Sequence, residues 1–453
     1  MSAVNVVGWL PRILIALVDI PGFVLYLIYF PQIKETFRKK VSKLIFITSI
    51  IILLITETTF TLKNEGILNI LSKISRDGIS LKEEKQLIAR YGTLFVNTLD
   101  ILYLIDENII YNHTKKYQKI KFNSHSLNKN VILIQVESLD SSVIFTDYKG
   151  YPITPFLRYL TTNSIFFPVM VSYHFSGYTS DAEFAVINSI HPLKDIPSMR
   201  YWKNFDNSLA RIFKQNNYLT YAFHNNRGIF FGRKEAYAKM GFDKFFDIEE
   251  MGLEEKGWGA SDEDMFNYIK NFLKTIKSTN FFVYIITMSS HGPFTIVQNY
   301  YTNSQFDDIE DIATKNYFNS INYVDKVLSN FINFIQKEIP NTIVFIFGDH
   351  HSSLQDNSIY RRSVAIINNK IIEIVPLFII LDNPKSIFYT NEAISQLSIS
   401  PTVIKLTGIE GEIKTKGEIL IPPTQKTIFY LNEEINKEDI IKNLNFSIPN
   451  YIK

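Results

Sequence analysis

Four residues far apart in the chain carry chemistry of one kind: Glu137, Thr179, Asp349 and His350. Two carboxylates, an imidazole and a hydroxyl oxygen make a hard, oxygen-rich donor set, suited to one Mg²⁺ or Mn²⁺ ion and open to Zn²⁺. A divalent cation held there lowers the pKa of the threonine hydroxyl and polarises a phosphoryl oxygen. The set therefore points to phosphoryl-group transfer with Thr179 as nucleophile. His291 is the candidate general acid or base, and Arg233 the candidate phosphate clamp through its planar donor fork. Trp258, in Gly257-Trp-Gly-Ala, offers a flat apolar face for stacking on a substrate. His174 and His351 stand close to the set in sequence and are assigned hydrogen-bonding roles around it.

These side chains need elements that bring them together. Glu137 closes the run Asn130-Val-Ile-Leu-Ile-Gln-Val-Glu137, and Asp349-His350 closes Thr342-Ile-Val-Phe-Ile-Phe-Gly-Asp-His350. Thr179 lies in Ser176-Gly-Tyr-Thr-Ser-Asp-Ala-Glu183, which reads as a turn opening a helix, with Ser180 and Glu183 spaced as a capping box. At a helix N-terminus the unpaired amides and the dipole favour an alkoxide and a bound phosphate. Continuous apolar runs at 131–136, 218–223, 281–288, 343–347 and 377–381 read as strands buried on both faces. Helical candidates lie at 180–189, 208–216, 262–275, 315–338 and 393–406. The alternation predicts an α/β domain with a largely parallel central sheet flanked by helices. Ligands of such a sheet gather at the carboxyl ends of its strands, where Glu137, His224, His291 and Asp349-His350 all fall. After Gly408 the pattern shortens to strand-like runs at 417–421 and 427–431, which predict a small antiparallel appendage.

Composition narrows the class of partner and the compartment. The 453 residues, with 36 Phe and 25 Tyr, supply a large core and suit a membrane anchor plus one large domain. A net charge of +2 with no long basic stretch argues against nucleic acid. Cysteine is absent, which excludes disulfides, thiolate metal sites and a cysteine nucleophile. Residues 13–30 and 44–62 are apolar runs close to bilayer length, interrupted by Asp19, Pro21 and Glu57. Between them, 34–43 holds Lys34, Arg38, Lys39, Lys40 and Lys43 against Glu35 alone. The positive-inside tendency puts that loop in the cytoplasm and everything after residue 62 outside the cytoplasmic membrane. The apolar stretch 94–105, short and carrying Asp100, reads as a packed or surface-lying helix within a polar linker.

Several motifs together resemble one family. Asn130 to Glu137, Gly177-Tyr-Thr-Ser-Asp-Ala-Glu-Phe184, His224 to Arg233, Ser290-His-Gly-Pro-Phe294, Gly348-Asp-His350 and Ser400-Pro-Thr402 stand in the order and approximate spacing of the lipoteichoic acid synthases. Those enzymes are membrane phosphoglycerol transferases of the sulfatase-like, alkaline phosphatase superfamily. The resemblance implies a manganese or magnesium site at Glu137, Thr179, Asp349 and His350, with Thr179 as nucleophile and His291 beside the substrate. It also implies a glycerophosphate contact at Arg233, an aromatic contact at Phe231 where the family usually has tryptophan, and Asn226 where it has an acid. Tyr178 replaces the lysine that commonly precedes the nucleophile. Full-length synthases carry five spans against the two runs here, which makes this chain a shorter relative or one whose upstream part is absent.

The expected organisation is an anchor of two transmembrane helices at 1–62, a juxtamembrane helical linker at 63–123, a sulfatase-like catalytic domain at 124–409 and a small C-terminal subdomain at 410–453. The expected reaction moves glycerophosphate from phosphatidylglycerol to an envelope polymer, glycolipid or glycan through a phosphothreonine. Rivals are a phosphoethanolamine transferase or phosphodiesterase of the same superfamily, and a non-catalytic phosphate-binding membrane protein. A sulfatase reaction is disfavoured, because its formylglycine arises from Cys or Ser in a C/S-x-P-x-R stretch and neither Ser176 nor Ser180 opens one.

Overall fold

Runs of seven apolar or β-branched residues have no polar face to give to solvent, so they form strands covered on both sides. The computed structural model describes residues 117–449 apart from 126, 195, 196, 203 and 383–385. The runs at 13–30 and 44–62 and the stretch 94–105 lie outside the described residues, as does nearly all of the linker. No helix among the described residues is long and apolar enough to cross a membrane.

Ten strands build one sheet: β1 (Asn130–Val136), β2 (Ile165–Val171), β3 (Leu219–His224), β4 (Lys244–Phe246), β5 (Phe281–Ile286), β6 (Thr342–Gly348), β7 (Val364–Ile367), β8 (Lys370–Ile380), β9 (Ile387–Phe388) and β10 (Ala393–Ser395). Their order is β9-β2-β8-β6-β1-β5-β3-β4, with β7 on β8 and β10 on β2. From β6 through β1, β5 and β3 to β4 every pairing is parallel. The carboxyl ends of those strands therefore share one edge.

The sheet is largely parallel, as expected, but mixed. β8 runs antiparallel to both β6 and β2. It is set that way by a hairpin from β7, turning through Asn368 and Asn369 with φ of 49° and 61°. Two asparagines in the left-handed region are the signature of a tight hairpin turn. β2 is absent from the apolar runs expected as strands because Pro168 interrupts it. Proline is tolerated there because the β8 register jumps from Val375↔Met170 to Leu377↔Phe167, leaving Pro168 and Pro376 outside the ladder. Residues 393–395, expected as the start of a helix, form β10 instead.

Alternate side chains along the central strands enter opposite layers, as strand geometry requires. Leu133, Tyr284 and Phe345 face a layer that includes Phe184 and Val403. Ile134, Ile285 and Ile346 face the other, with Phe266, Val324 and Phe331. The helices that cover these layers include α1 (Thr179–Asn188), α2 (Arg233–Met240), α3 (Asp262–Ile276), α4 (Ile312–Glu338) and α5 (Ile399–Thr407). α4 begins at Asp311, whose carboxylate accepts from Thr314 N at 3.1 Å.

The tail is antiparallel as expected but differently placed. Thr427–Tyr430 pairs with Glu433–Asn436, whereas 417–421 forms no strand. Gly411–Thr415 pairs antiparallel with Gln118–Phe122, so the end of the expected helical linker is a strand closing on the tail. Phe345 is fully buried in β6, four residues before Asp349. Phe345→Ala should cost about 3–5 kcal/mol, read as a lowered midpoint in denaturant unfolding. A change under about 1 kcal/mol would mean that the β6 layer is not close-packed.

Candidate active site

The register Val136↔Gly348 puts the residues after β1 and β6 side by side. Glu137 and Asp349 follow it directly. Gly348 is required at this crossing, because a Cβ there would lie 2.4 Å from the Leu139 carbonyl oxygen and 2.9 Å from Val375. Asp349 Oδ1 accepts from Ser138 N at 2.8 Å and from His350 N at 2.7 Å. Its Oδ2 is buried without a hydrogen-bond partner among the described residues and lies 3.4 Å from His350 Nε2. His350 Nε2 is also 3.3 Å from Glu137 Oε1, while its Nδ1 donates to the His351 carbonyl at 2.8 Å.

Thr179 is brought to this pair by a strained turn. It is the first residue of α1, and Tyr178 before it holds φ 49° and ψ −133°, a conformation costly for a residue with a side chain. Asp181 holds the turn from beneath, accepting from Gly177 N at 2.8 Å and Phe175 N at 3.1 Å. The expected capping box does not form. Ser180 Oγ donates to the Gly177 carbonyl, and Glu183 turns inward to Arg233. In the resulting position Thr179 Oγ1 donates to Glu137 Oε2 at 3.1 Å, and the Thr179 carbonyl accepts from Gln135 Nε2 at 3.2 Å. Tyr284 OH in turn donates to Gln135 Oε1 at 2.5 Å. Sequence reading did not single out this strap between β5, β1 and the turn. Its signal was a lone glutamine inside an apolar strand.

The electrostatics of the cluster are those of ligands for a cation. Burial raises the Asp349 carboxyl well above its ordinary range, and the Glu137 charge adds to it. Burial would also raise Glu137, but the His350 charge overrides it and holds that carboxyl low. For His350 burial opposes the proton, and the two carboxylates outweigh it, lifting the imidazole well above its ordinary range. A buried carboxylate pair sharing an imidazolium, with one oxygen orphaned, fits a divalent cation that would leave both carboxylates ionised. The donor atoms of Glu137, Asp349 and His350 lie within 4.8 Å of one another. The residues present thus fit the expected metal set.

His174, His350 and Glu373 form a second close group. Here the partners are already taken: His174 Nδ1 lies 3.0 and 3.2 Å from the two Glu373 oxygens. The His174 ring stacks on His350 at 4.1 Å, so the pair supports that ring from behind. Burial would raise the Glu373 carboxyl, yet the His174 charge brings it down to about 2. Glu373 escaped sequence reading, although a carboxylate amid the apolar residues of β8 marks it.

The cluster floors a cavity of about 670 Å³ that also receives every expected substrate residue: Arg233, Phe231, Asn226, Trp258 and His291. His291 Nδ1 donates to the Gly292 carbonyl at 2.5 Å, which leaves Nε2 as the nitrogen that can exchange a proton with a substrate. Trp258 stacks over His291 at 5.6 Å. The loop carrying His291 is held by Asp262, which accepts from Met288 N at 2.9 Å, Ser289 N at 3.2 Å and Asn225 Nδ2 at 2.9 Å. Arg233 is buried, and its Nε and Nη2 donate to Glu183 at 2.6–3.0 Å. Much of its donor fork therefore faces protein, while its guanidinium packs over Phe231 at 5.2 Å. Asn226 Oδ1 accepts from Arg227 N at 2.7 Å. His224 lines the same cavity, its proton expelled by burial and by Arg233 so that its pKa falls to about 3.

A family model described as Sulfatase matches residues 129–409. The chain belongs to the sulfatase family, within the alkaline phosphatase superfamily. Lipoteichoic acid synthase 2 of Bacillus subtilis is 30% identical over 298 residues, covering 62% of this chain and 45% of that protein. The lipoteichoic acid synthase of Staphylococcus aureus is 26% identical over 320 residues, covering 66% and 49%. This chain thus spans about half the length of the curated relatives it matches. The crystal structure of the lipoteichoic acid synthase LtaP from Listeria monocytogenes superposes with a TM-score of 0.58 at 25% identity, covering 70% of this chain and 80% of that one.

Two outcomes are expected from this geometry. Cation binding must displace the His350 proton, so affinity for Mn²⁺ should rise with pH and binding should release protons. Calorimetry in buffers of different ionisation heat reads this, and zero net release would contradict it. Gln135→Ala should lower kcat by roughly tenfold or more through a misplaced Thr179 while leaving cation affinity within about threefold. Loss of both together would assign Gln135 to the metal floor instead.

Proposed function

We propose that this protein is a phosphoglycerol transferase of the outer face of the cytoplasmic membrane. It would be anchored through residues 1–62 and carry glycerophosphate from phosphatidylglycerol to an envelope polymer, glycolipid or glycan. The observation that carries the reading is the convergence of Thr179 Oγ1, 3.1 Å from Glu137, with His350 on the floor of a cavity that Arg233 and His291 also line, and with Asp349 buried against His350. The similarity to lipoteichoic acid synthases supports the same reading.

The residues would divide the work as follows. A divalent cation on Glu137, Thr179, Asp349 and His350, Mn²⁺ or Mg²⁺, would lower the pKa of the threonine hydroxyl and take up charge on a phosphoryl oxygen. Thr179 Oγ1 attacks phosphorus, its proton leaving toward Glu137 Oε2, and the bond from phosphorus to the diacylglycerol oxygen breaks. His291, protonated at Nε2 for this step, gives that oxygen a proton, and diacylglycerol departs. The acceptor hydroxyl then gives its proton to His291 and attacks the phosphothreonine; the bond from phosphorus to Thr179 Oγ1 breaks, and Oγ1 takes back the proton held by Glu137. Arg233, kept charged by Glu183 against the effect of burial, contributes positive potential beside the phosphate. Phe231, Asn226 and Trp258 would shape the pocket for the glycerol head group.

The test is release of labelled diacylglycerol by the full chain with Mn²⁺, from phosphatidylglycerol and separately from phosphatidylethanolamine. Release from phosphatidylglycerol is expected, and Thr179→Ala should reduce it by at least on the order of 10³-fold. Release from neither lipid would sink the proposal, and release from phosphatidylethanolamine alone would reassign the donor.

A further inference from the structure

Ten large apolar side chains among the described residues are exposed, and five of them stand at one place. Tyr178, Phe230 and Trp258 line the catalytic cavity at 51, 42 and 45% exposure. Ile229 precedes Phe230 at 81%, and Ile312, at 72%, precedes the cavity residue Ala313. Singly such residues need no explanation, but a cluster around a cavity mouth marks a docking surface.

The backbone holds this rim outward at a cost. The turn 227–232 is closed by Phe230 N donating to the Arg227 carbonyl at 3.3 Å and Gly232 N to the Ile229 carbonyl at 3.1 Å. Phe231 sits in the left-handed region at φ 57°, a strained conformation for an aromatic residue. The ring of Phe231 meets Tyr178 at 6.4 Å and the Arg233 guanidinium at 5.2 Å, which ties the turn to the cavity wall and leaves Ile229 at its tip.

We infer that this rim seats on a lipid surface, with Ile229, Phe230, Trp258 and Ile312 entering the boundary between head groups and acyl chains. The inference rests on the proposed lipid donor. A cavity of about 670 Å³ accepts a head group but not two acyl chains, so the chains of a bound donor leave through the mouth. Apolar side chains at that mouth are what such chains would meet. An aromatic belt with aliphatic tips is the composition that settles at a membrane interface. Arg227 and Lys256, two residues from Ile229 and Trp258 respectively, are each paired, with Glu255 at 2.9 Å and with Asp264 at 2.6 Å. Seating therefore depends on apolar contact rather than on anionic lipid charge.

The full chain is reconstituted in phosphatidylcholine vesicles carrying a lipid with a nitroxide high on its acyl chain. The tryptophan emission lost on Trp258→Phe is the signal to follow. Quenching of that fraction, unchanged at high salt, is expected. Absence of quenching would overturn the inference, and would be the result if an upstream segment of this chain, such as 94–105, covers the rim. Ile229→Asp with Ile312→Asp should lower turnover of phosphatidylglycerol in vesicles by about tenfold while sparing its water-soluble deacylated analogue. Both positions are solvent-exposed, so folding is spared, and equal loss on both substrates would count against a lipid-seating role. If wild-type protein turns over neither substrate yet Trp258 is quenched, the transferase reading fails while the surface stands.

Discussion

The structure depends on one electrostatic constraint: two carboxylates, Glu137 and Asp349, are buried side by side by strand register. The parallel pairing of β1 with β6, kept in step over seven residue pairs, leaves neither free to turn to solvent. Burying like charges together is unfavourable by several kcal/mol unless a cation intervenes. The protein meets part of that cost with backbone donors to Asp349 Oδ1 and with the His350 ring. Asp349 Oδ2 has no hydrogen-bond partner among the described residues, which is what the proposed cation would answer. Much of the surrounding architecture keeps this pair in place, including Gly348 at the crossing and the His174–Glu373 pair behind the imidazole.

The proposed nucleophile obeys a second constraint, because Thr179 must approach the pair from another layer. Helix α1 packs on the sheet through Phe184 and Val186, which fixes its axis but not the rotation of its first turn. That rotation is set by polar contacts: Asp181 beneath Gly177, Gln135 on the Thr179 carbonyl, and Glu183 locked to Arg233 with Tyr237 OH donating to it at 2.8 Å. A left-handed Tyr178 persists because these contacts over-determine it. Apolar packing positions the element, and buried polar contacts position the Thr179 hydroxyl.

This division explains what the sequence reveals and what it hides. The strands that carry Glu137, Asp349 and His350 were legible because continuous apolar runs admit few alternatives, and the sharing of one edge follows from parallel order. β2 was hidden because proline normally forbids a central strand, and only the opposing Pro376 makes the gap in the ladder tolerable. The direction of β8 depended on the Asn368-Asn369 turn, a short signal next to long apolar runs. Among site residues, Arg233 was recognisable by type, but its Glu183 partner was assigned to a capping box because spacing of three suits both roles. Gln135, Asp262 and Glu373 act through other residues, and polar groups of that kind announce themselves only as exceptions within apolar or amphipathic patterns.

The contrast between floor and mouth bears on the kind of reaction the proposed site would favour. A threonine ester of phosphate is open to attack by any hydroxyl, and water is the most abundant. Transfer outruns hydrolysis only if the second step takes place where water is scarce and an acceptor is held in line. The floor is polar but nearly closed, with Glu137, Asp349, His350 and Thr179 each less than a tenth exposed. Above it the walls are aromatic, from Phe231 and Phe294 to Trp258 over His291. On the proposed reading, an apolar rim covered by lipid would remove the remaining path for bulk water during the first step. The same burial that would call for a cation at the carboxylate pair would then also protect the covalent intermediate until an acceptor enters the mouth that diacylglycerol has left.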